Sequence, residues 1–213
     1  MTKEIYIFSG LGADERIFQG LDFSGCSPTF IKWVVPRGEE TIEQYASQLL
    51  GQIRTTKPIL VGVSFGGIIA VEIAKQIEIE KLILISSVKT KNEIPFYFRL
   101  IGRLRFHKLL PARLLKRSNY IINWMFGASS KFDKQLLSQV LVDTDPIFLK
   151  WAIDKIVRWK NQIQPPVFFH IHGMSDRIFP ARFIRSNATI KHGGHLMLLN
   201  HSEEINKILI QQI

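Results

Sequence analysis

Three side chains in this 213-residue sequence combine the types that carry acyl-transfer chemistry. Ser64 stands in Val61-Gly62-Val63-Ser64-Phe65-Gly66-Gly67, a Gly-x-Ser-x-Gly pattern. Small residues two before and two after a serine let the backbone turn sharply from strand to helix and push the hydroxyl out over a sheet edge. With glycine and serine each at roughly 7% of residues, the bare pattern arises by chance in about one chain in fourteen of this length, so its context decides its meaning. Here an apolar run, ILVGV at 59–63, precedes it and a helical pattern, GIIAVEIAKQ, follows Gly66. A hydroxyl is a poor nucleophile until a base takes its proton, and the base needs an acid to fix its tautomer. The acid expected is Asp176, in HGMSDRIFP at 172–180, just past the apolar run 167–172. The base expected is His195, at the end of ATIKHGGH at 188–195. Asp133, Asp143, Asp145 and Asp154 also lie between Ser64 and His195, but in a helical stretch away from strand ends.

The elements that must position these residues are readable from periodicity. EIYIF at 4–8, FIKWVV at 30–35, ILVGV at 59–63, KLILIS at 81–86 and VFFHIH at 167–172 read as strands, the last three almost wholly apolar, as in a parallel sheet covered on both faces. Helices are predicted over 41–55, opening on a Thr41/Gln44 capping box, and after Gly66. A last one covers about 202–212, with Ser202 as N-cap and Ile205, Ile208 and Leu209 facing inward. Strands alternating with helices predict a doubly wound α/β architecture.

The middle of the chain differs. From about 94 to 161 only helical periodicity is found, broken at Pro111, Gly127 and Asp145-Pro146, the last pair being an N-cap followed by proline at the first helical position. The helix it starts carries Phe148, Ala152, Ile156 and Trp159 on one face. This predicts a core of residues 1–88 and 165–213 with a helical cap, or lid, at 89–164.

Together, GVSFGG around Ser64, HGMSDRIFP around Asp176 and GGHLMLLNHSEEI around His195 resemble the α/β-hydrolase family. The resemblance covers 3–88 and 165–213. It implies a reduced α/β-hydrolase fold, about six mainly parallel strands with helices on both faces and an inserted helical cap, the usual opening antiparallel hairpin being absent. It implies catalytic roles for Ser64, Asp176 and His195, with an oxyanion hole formed by the backbone N–H groups of Leu11 and Phe65. The family's His-Gly loop is here FSGLGADERIF at 8–18, with Ser9 in the histidine position and Gly10 kept. The activity implied is cleavage of a small-molecule acyl ester or thioester through an acyl-enzyme. The same residues also suit an acyltransferase, a lyase, an amidase or a ligand-binding protein that keeps them as scaffold. No metal or organic cofactor is implied. His170, His172 and His192 could be taken for metal ligands, but no carboxylate or cysteine arrives at ligand spacing.

Charge is concentrated in the middle. Residues 89–160 hold 15 Lys+Arg against 5 Asp+Glu, and the remainder is balanced at 13 and 13, so the net +10 belongs to the cap. Within 96–117, Arg99, Arg103, Arg105, Lys108, Arg113, Lys116 and Arg117 occur with no acid among them. A solvated face would account for this, as would an acidic carrier protein or an anionic lipid surface. One member of the resembling family receives an acidic acyl carrier on a basic cap, which implies a carrier- or coenzyme-A-bound thioester. No nucleic-acid recognition fold is visible. The amino-terminal MTKEIYIFSG lacks a signal peptide's layout and no apolar run reaches 18 residues, so a soluble, cytoplasmic protein without a transmembrane span is expected. Cys26, the single cysteine, can form no internal disulfide.

Overall fold

A computed structural model describes residues 3–213 apart from 110, 112, 114, 115 and 117. Six strands form one sheet: β1 (Lys3–Phe8), β2 (Cys26–Phe30), β3 (Ile59–Val63), β4 (Lys81–Ile85), β5 (Phe168–Gly173) and β6 (Ala188–Ile190), in the order β2-β1-β3-β4-β5-β6. All five pairings among the described residues are parallel. Alternation along each strand sends side chains to opposite faces. Tyr6, Phe8, Leu60, Leu82 and Leu84 join one core with α1 (Ile42–Leu49) and α2 (Phe65–Ala74). Ile5, Ile7, Val61, Ile83 and Ile85 join another, with Leu198 of α7 (Met197–Asn200) and with Ile205 and Leu209 of α8 (Ser202–Leu209). Strands covered on both sides are the apolar runs that the sequence predicts.

Between β4 and β5 the described residues contain helices and no strand: α3 (Phe96–Arg103), α4 (Tyr120–Phe126), α5 (Lys131–Asp143) and α6 (Pro146–Val157). Gly127, left-handed at φ 72°, ends α4, and Asp145 caps α6 by accepting from the N–H groups of Ile147 and Phe148, with Pro146 at its first position. Pro111 itself is described, but its neighbours 110 and 112 are not, and Arg117 of the basic run lies outside the described residues. No helix among the described residues is long and apolar enough to cross a membrane.

Three expectations need correction. The second strand is Cys26–Phe30, not 30–35. Ile31 still donates its N–H to the Ile7 carbonyl, but beyond it side chains take over the ladder: Lys32 donates its N–H to Gln52 Oε1 and Val34 donates to the Tyr45 hydroxyl. The strand that does pair is at the edge, where Pro28 removes no needed donor. The first helix stops at Leu49 and continues only as a tight 3-10 turn to Gln52, although its Thr41/Gln44 capping box forms as read. Ser202 is the first helical residue rather than the N-cap, because α7 runs almost directly into α8 and His201 occupies the junction.

Candidate active site

The strand order reverses direction beside β1, where the chain moves to β2 on one side and β3 on the other. Ligands in open α/β sheets bind beyond the carboxyl ends of strands at such a point. Ser64 directly follows β3, and the loop 9–13 directly follows β1.

Ser64 has φ 51° and ψ −120°, a conformation that L-residues avoid, at the junction between strand and helix. Two hydrogen bonds hold the turn. Ser64 donates its N–H to the Ile85 carbonyl at 3.0 Å, and Ser87 Oγ donates to the Ser64 carbonyl at 2.7 Å. The flanking glycines allow the close approach: a Cβ on Gly62 would fall 2.5 Å from Gly67 Cα, and one on Gly66 would fall 2.2 Å from the Ser9 carbonyl oxygen.

The structure brings Ser64, His195 and Asp176 together. Ser64 Oγ lies 2.8 Å from His195 Nε2, and His195 Nδ1 lies 2.8 Å from Asp176 Oδ2. Asp176 sits in the turn after β5, and its other oxygen accepts from the N–H groups of Ile178 and Phe179 at 2.8 and 2.9 Å. An ionised carboxylate offers only lone pairs, so the proton of His195 rests on Nδ1 and the Nε2 lone pair faces the serine hydroxyl. His195 is held between Phe126 and Phe179, edge-on to both, with ring centroids at 5.5 and 5.6 Å. The arrangement can take a proton from the serine and hand it on. Of the two expected oxyanion donors, Leu11 follows Gly10 on the loop after β1 and Phe65 opens α2; neither N–H meets a protein acceptor among the described residues.

A model of the alpha/beta hydrolase family matches residues 10–208. The chain belongs to that family. Solved structures of the same fold include a lipase-esterase related protein from Clostridium acetobutylicum ATCC 824, with TM-score 0.71 and 13% identity, covering 100% of this chain and 95% of that one. An esterase from Thermogutta terrifontis has TM-score 0.72 and 17% identity over 99% and 89% of the two chains. A bromoperoxidase from Bacillus anthracis has TM-score 0.67 and 18% identity over 99% and 91%. At these identities the likeness is one of fold. Comparison of the sequence with curated proteins yields no match.

In this alpha/beta hydrolase, Ser64 and His195 open onto a cavity of about 380 Å³. Its walls are otherwise almost entirely apolar, with Ile17 and Leu198 from the core and Phe98, Met125, Leu137 and Ile153 from the helices between β4 and β5. Several supporting residues escaped the sequence reading. Trp33 donates its indole N–H to Ser9 Oγ at 2.9 Å, and Ser9 donates in turn to the Ala13 carbonyl, so the serine braces the loop. His172 is buried beneath Asp176, with Nε2 donating to the Phe179 carbonyl at 2.8 Å and lying 3.7 Å from Asp176 Oδ2. Its neighbour His170 accepts from Lys89 Nζ at 3.2 Å, and Lys89 is paired with Glu93 at 2.6 Å. Burial pushes the pKa of both histidines below the ordinary value, that of His170 farther, with the Lys89 charge adding to it. Their alternation along β5 therefore belongs to the packing behind Asp176.

Proposed function

We propose that this alpha/beta hydrolase is a serine hydrolase that cleaves a carboxylic ester or thioester of an apolar acyl group. The observation that carries the reading is the hydrogen-bonded sequence Ser64, His195, Asp176 at the mouth of an apolar cavity. In the proposed mechanism Ser64 Oγ attacks the acyl carbonyl while His195 Nε2 takes its proton. The Leu11 and Phe65 N–H groups receive the developing oxyanion, and Asp176 stabilises the imidazolium through Nδ1. Collapse expels the alcohol or thiol, which takes the proton from His195. Water, deprotonated by the same nitrogen, then hydrolyses the acyl-enzyme and restores Ser64. The acyl chain lies in the cavity, under a cap formed by residues 89–164.

A fluorophosphonate probe tests the nucleophile and a series of p-nitrophenyl esters of increasing chain length tests the reaction. Labelling that vanishes in Ser64→Ala and turnover that vanishes in His195→Ala are expected. Labelling that survives Ser64→Ala sinks the proposal, and tight ligand binding without turnover would make the protein a receptor.

For the cap we propose an anionic lipid surface as the partner. Phe96 and Leu100 of α3 and Leu104, its C-cap, are exposed four residues apart, with Phe106 and Leu109 exposed just beyond, and Arg103, Arg105 and Lys108 are exposed among them. Apolar side chains set among cations fit a headgroup boundary better than an acidic protein face. Binding to phosphatidylglycerol vesicles, weakened when Arg103, Arg105 and Lys108 are changed to glutamine, is expected. Equal binding to phosphatidylcholine vesicles, or binding to an acidic carrier protein alone, would refute it.

A further inference from the structure

Asp176 presents Oδ2 to His195 from a turn whose two halves are fixed in different ways. The first half is tied to the turn before His195: Met174 donates its N–H to the Ile190 carbonyl and Ser175 donates to the Gly193 carbonyl, each at 2.9 Å. The second half, 176–179, closes on Asp176 Oδ1, which accepts from the N–H groups of Ile178 and Phe179. Its far end is bonded back to β5 by His172, whose Nε2 lies 2.8 Å from the Phe179 carbonyl oxygen.

A carbonyl can only accept, so the hydrogen of the neutral imidazole sits on Nε2. Burial lowers the pKa of His172 below its ordinary 6.5, which keeps the ring neutral at pH 8. Asp176 Oδ2 lies 3.7 Å from the same nitrogen, beyond hydrogen-bond reach, so His172 acts on the carboxylate through the turn and not directly. Phe179 is where the two supports of His195 meet. Its N–H helps to hold Asp176 Oδ1, and its ring stands edge-on to the imidazole with centroids 5.6 Å apart. Fixing the Phe179 backbone therefore fixes both the carboxylate that orients Nδ1 and a wall that keeps Nε2 2.8 Å from Ser64 Oγ. His172 is not among the described residues that line the cavity, so this support is separate from substrate contact.

We propose that His172 is a positioning residue for the reaction: its Nε2–H holds the Phe179 carbonyl and thereby keeps Asp176 and His195 aligned with Ser64. The effect on rate rests on the serine hydrolase reading above, whereas the alignment of Asp176 with His195 does not.

The test compares wild type, His172→Leu and His172→Gln at pH 8. A glutamine amide nitrogen can stand where Nε2 stands, and leucine offers no donor. With p-nitrophenyl octanoate, kcat should fall roughly ten- to hundredfold in His172→Leu with KM nearly unchanged, and should recover most of that loss in His172→Gln. The low-field ¹H resonance of His195 Nδ1–H, bonded to Asp176, should move upfield or broaden away in His172→Leu and return in His172→Gln. A role in packing alone would lower stability in urea and leave kcat and that resonance in place, which overturns the inference. Equal losses in the two variants overturn it as well. Should His172→Leu not fold, His172→Asn takes its place with the same expected outcomes, because its amide nitrogen stands where Nδ1 stands and falls short of Phe179. In the wild type, ¹⁵N shifts at pH 8 should place the His172 hydrogen on Nε2, and the Nδ1–H tautomer overturns the inference whatever the variants do. Absence of turnover in the wild type would count against the hydrolase reading alone, and the His195 resonance then decides.

Discussion

Trp33 donates its indole N–H to the hydroxyl of Ser9 at 2.9 Å, tying the segment after β2 to the loop after β1. Ser9 passes the bond on to the Ala13 carbonyl, which closes the loop around Leu11. In Ser9→Ala both bonds vanish and the half-buried Trp33 indole N–H loses its acceptor. The expected result is a loss of about 1–3 kcal/mol of stability in urea unfolding. If the Leu11 N–H serves the oxyanion, kcat should also fall by about tenfold or more with little change in KM. Unchanged kcat in a folded variant would show that the loop holds its donor without this brace.

Gly66 faces the same loop from the other side. A methyl group there would meet the Ser9 and Phe8 carbonyl oxygens at 2.2 and 2.3 Å, both backbone atoms that cannot swing aside. Gly66→Ala should therefore force β1 and α2 apart, costing about 1–3 kcal/mol by overpacking. Fluorophosphonate labelling of Ser64 should slow by more than the stability loss explains. A variant that labels at the wild-type rate would mean that the turn does not depend on this approach.

The parts of the site that could be read from sequence are those written locally. The turn at Ser64 is a pattern of seven consecutive residues, and β3, β4 and β5 announce themselves because both faces of each are buried. β2 could not be read this way, since an edge strand with Pro28 and mostly exposed side chains carries no apolar run. Trp33 and Ser87 were equally silent. Each acts on a partner 23 or 24 residues away, through a contact that exists only once strands or helices have met. His170 and His172 were visible as a pair on one strand face, but their meaning needed the buried Lys89 and Glu93 beside them.

That buried cluster has a pH signature. His170 and His172 face Lys89, Glu93, Asp176 and His195, and burial holds the pKa of both below the ordinary 6.5. Below that pH the unfolded chain takes up protons that the folded chain refuses, so stability is full above about 6.5 and declines as pH falls towards the folded values. The lowered carboxylates Asp14, Asp22, Asp133 and Asp154 act in a separate window, below their ordinary 3.8. Urea unfolding between pH 7.5 and 5.5 should show decreasing stability in the wild type and a flatter dependence in His170→Gln. A parallel dependence in the two proteins would place the effect elsewhere.

The helices between β4 and β5 are anchored to α2 by a buried polar contact. Trp159, just beyond α6, donates its indole N–H to Glu72 Oε1 at 2.8 Å, while Lys75 holds Oε2 at 2.6 Å. Glu72 is fully buried, so removing the donor leaves one carboxylate oxygen unmet. Trp159→Phe should cost about 1–3 kcal/mol. Pairing it with Glu72→Leu, which removes the acceptor as well, should cost less than the two single changes added together, and the difference measures the contact. Additive single effects would mean that Trp159 holds the segment by packing alone. Because α2 directly follows Ser64, the same double-mutant cycle run on kcat for an ester reports whether this anchor also sets the position of the Ser64 hydroxyl.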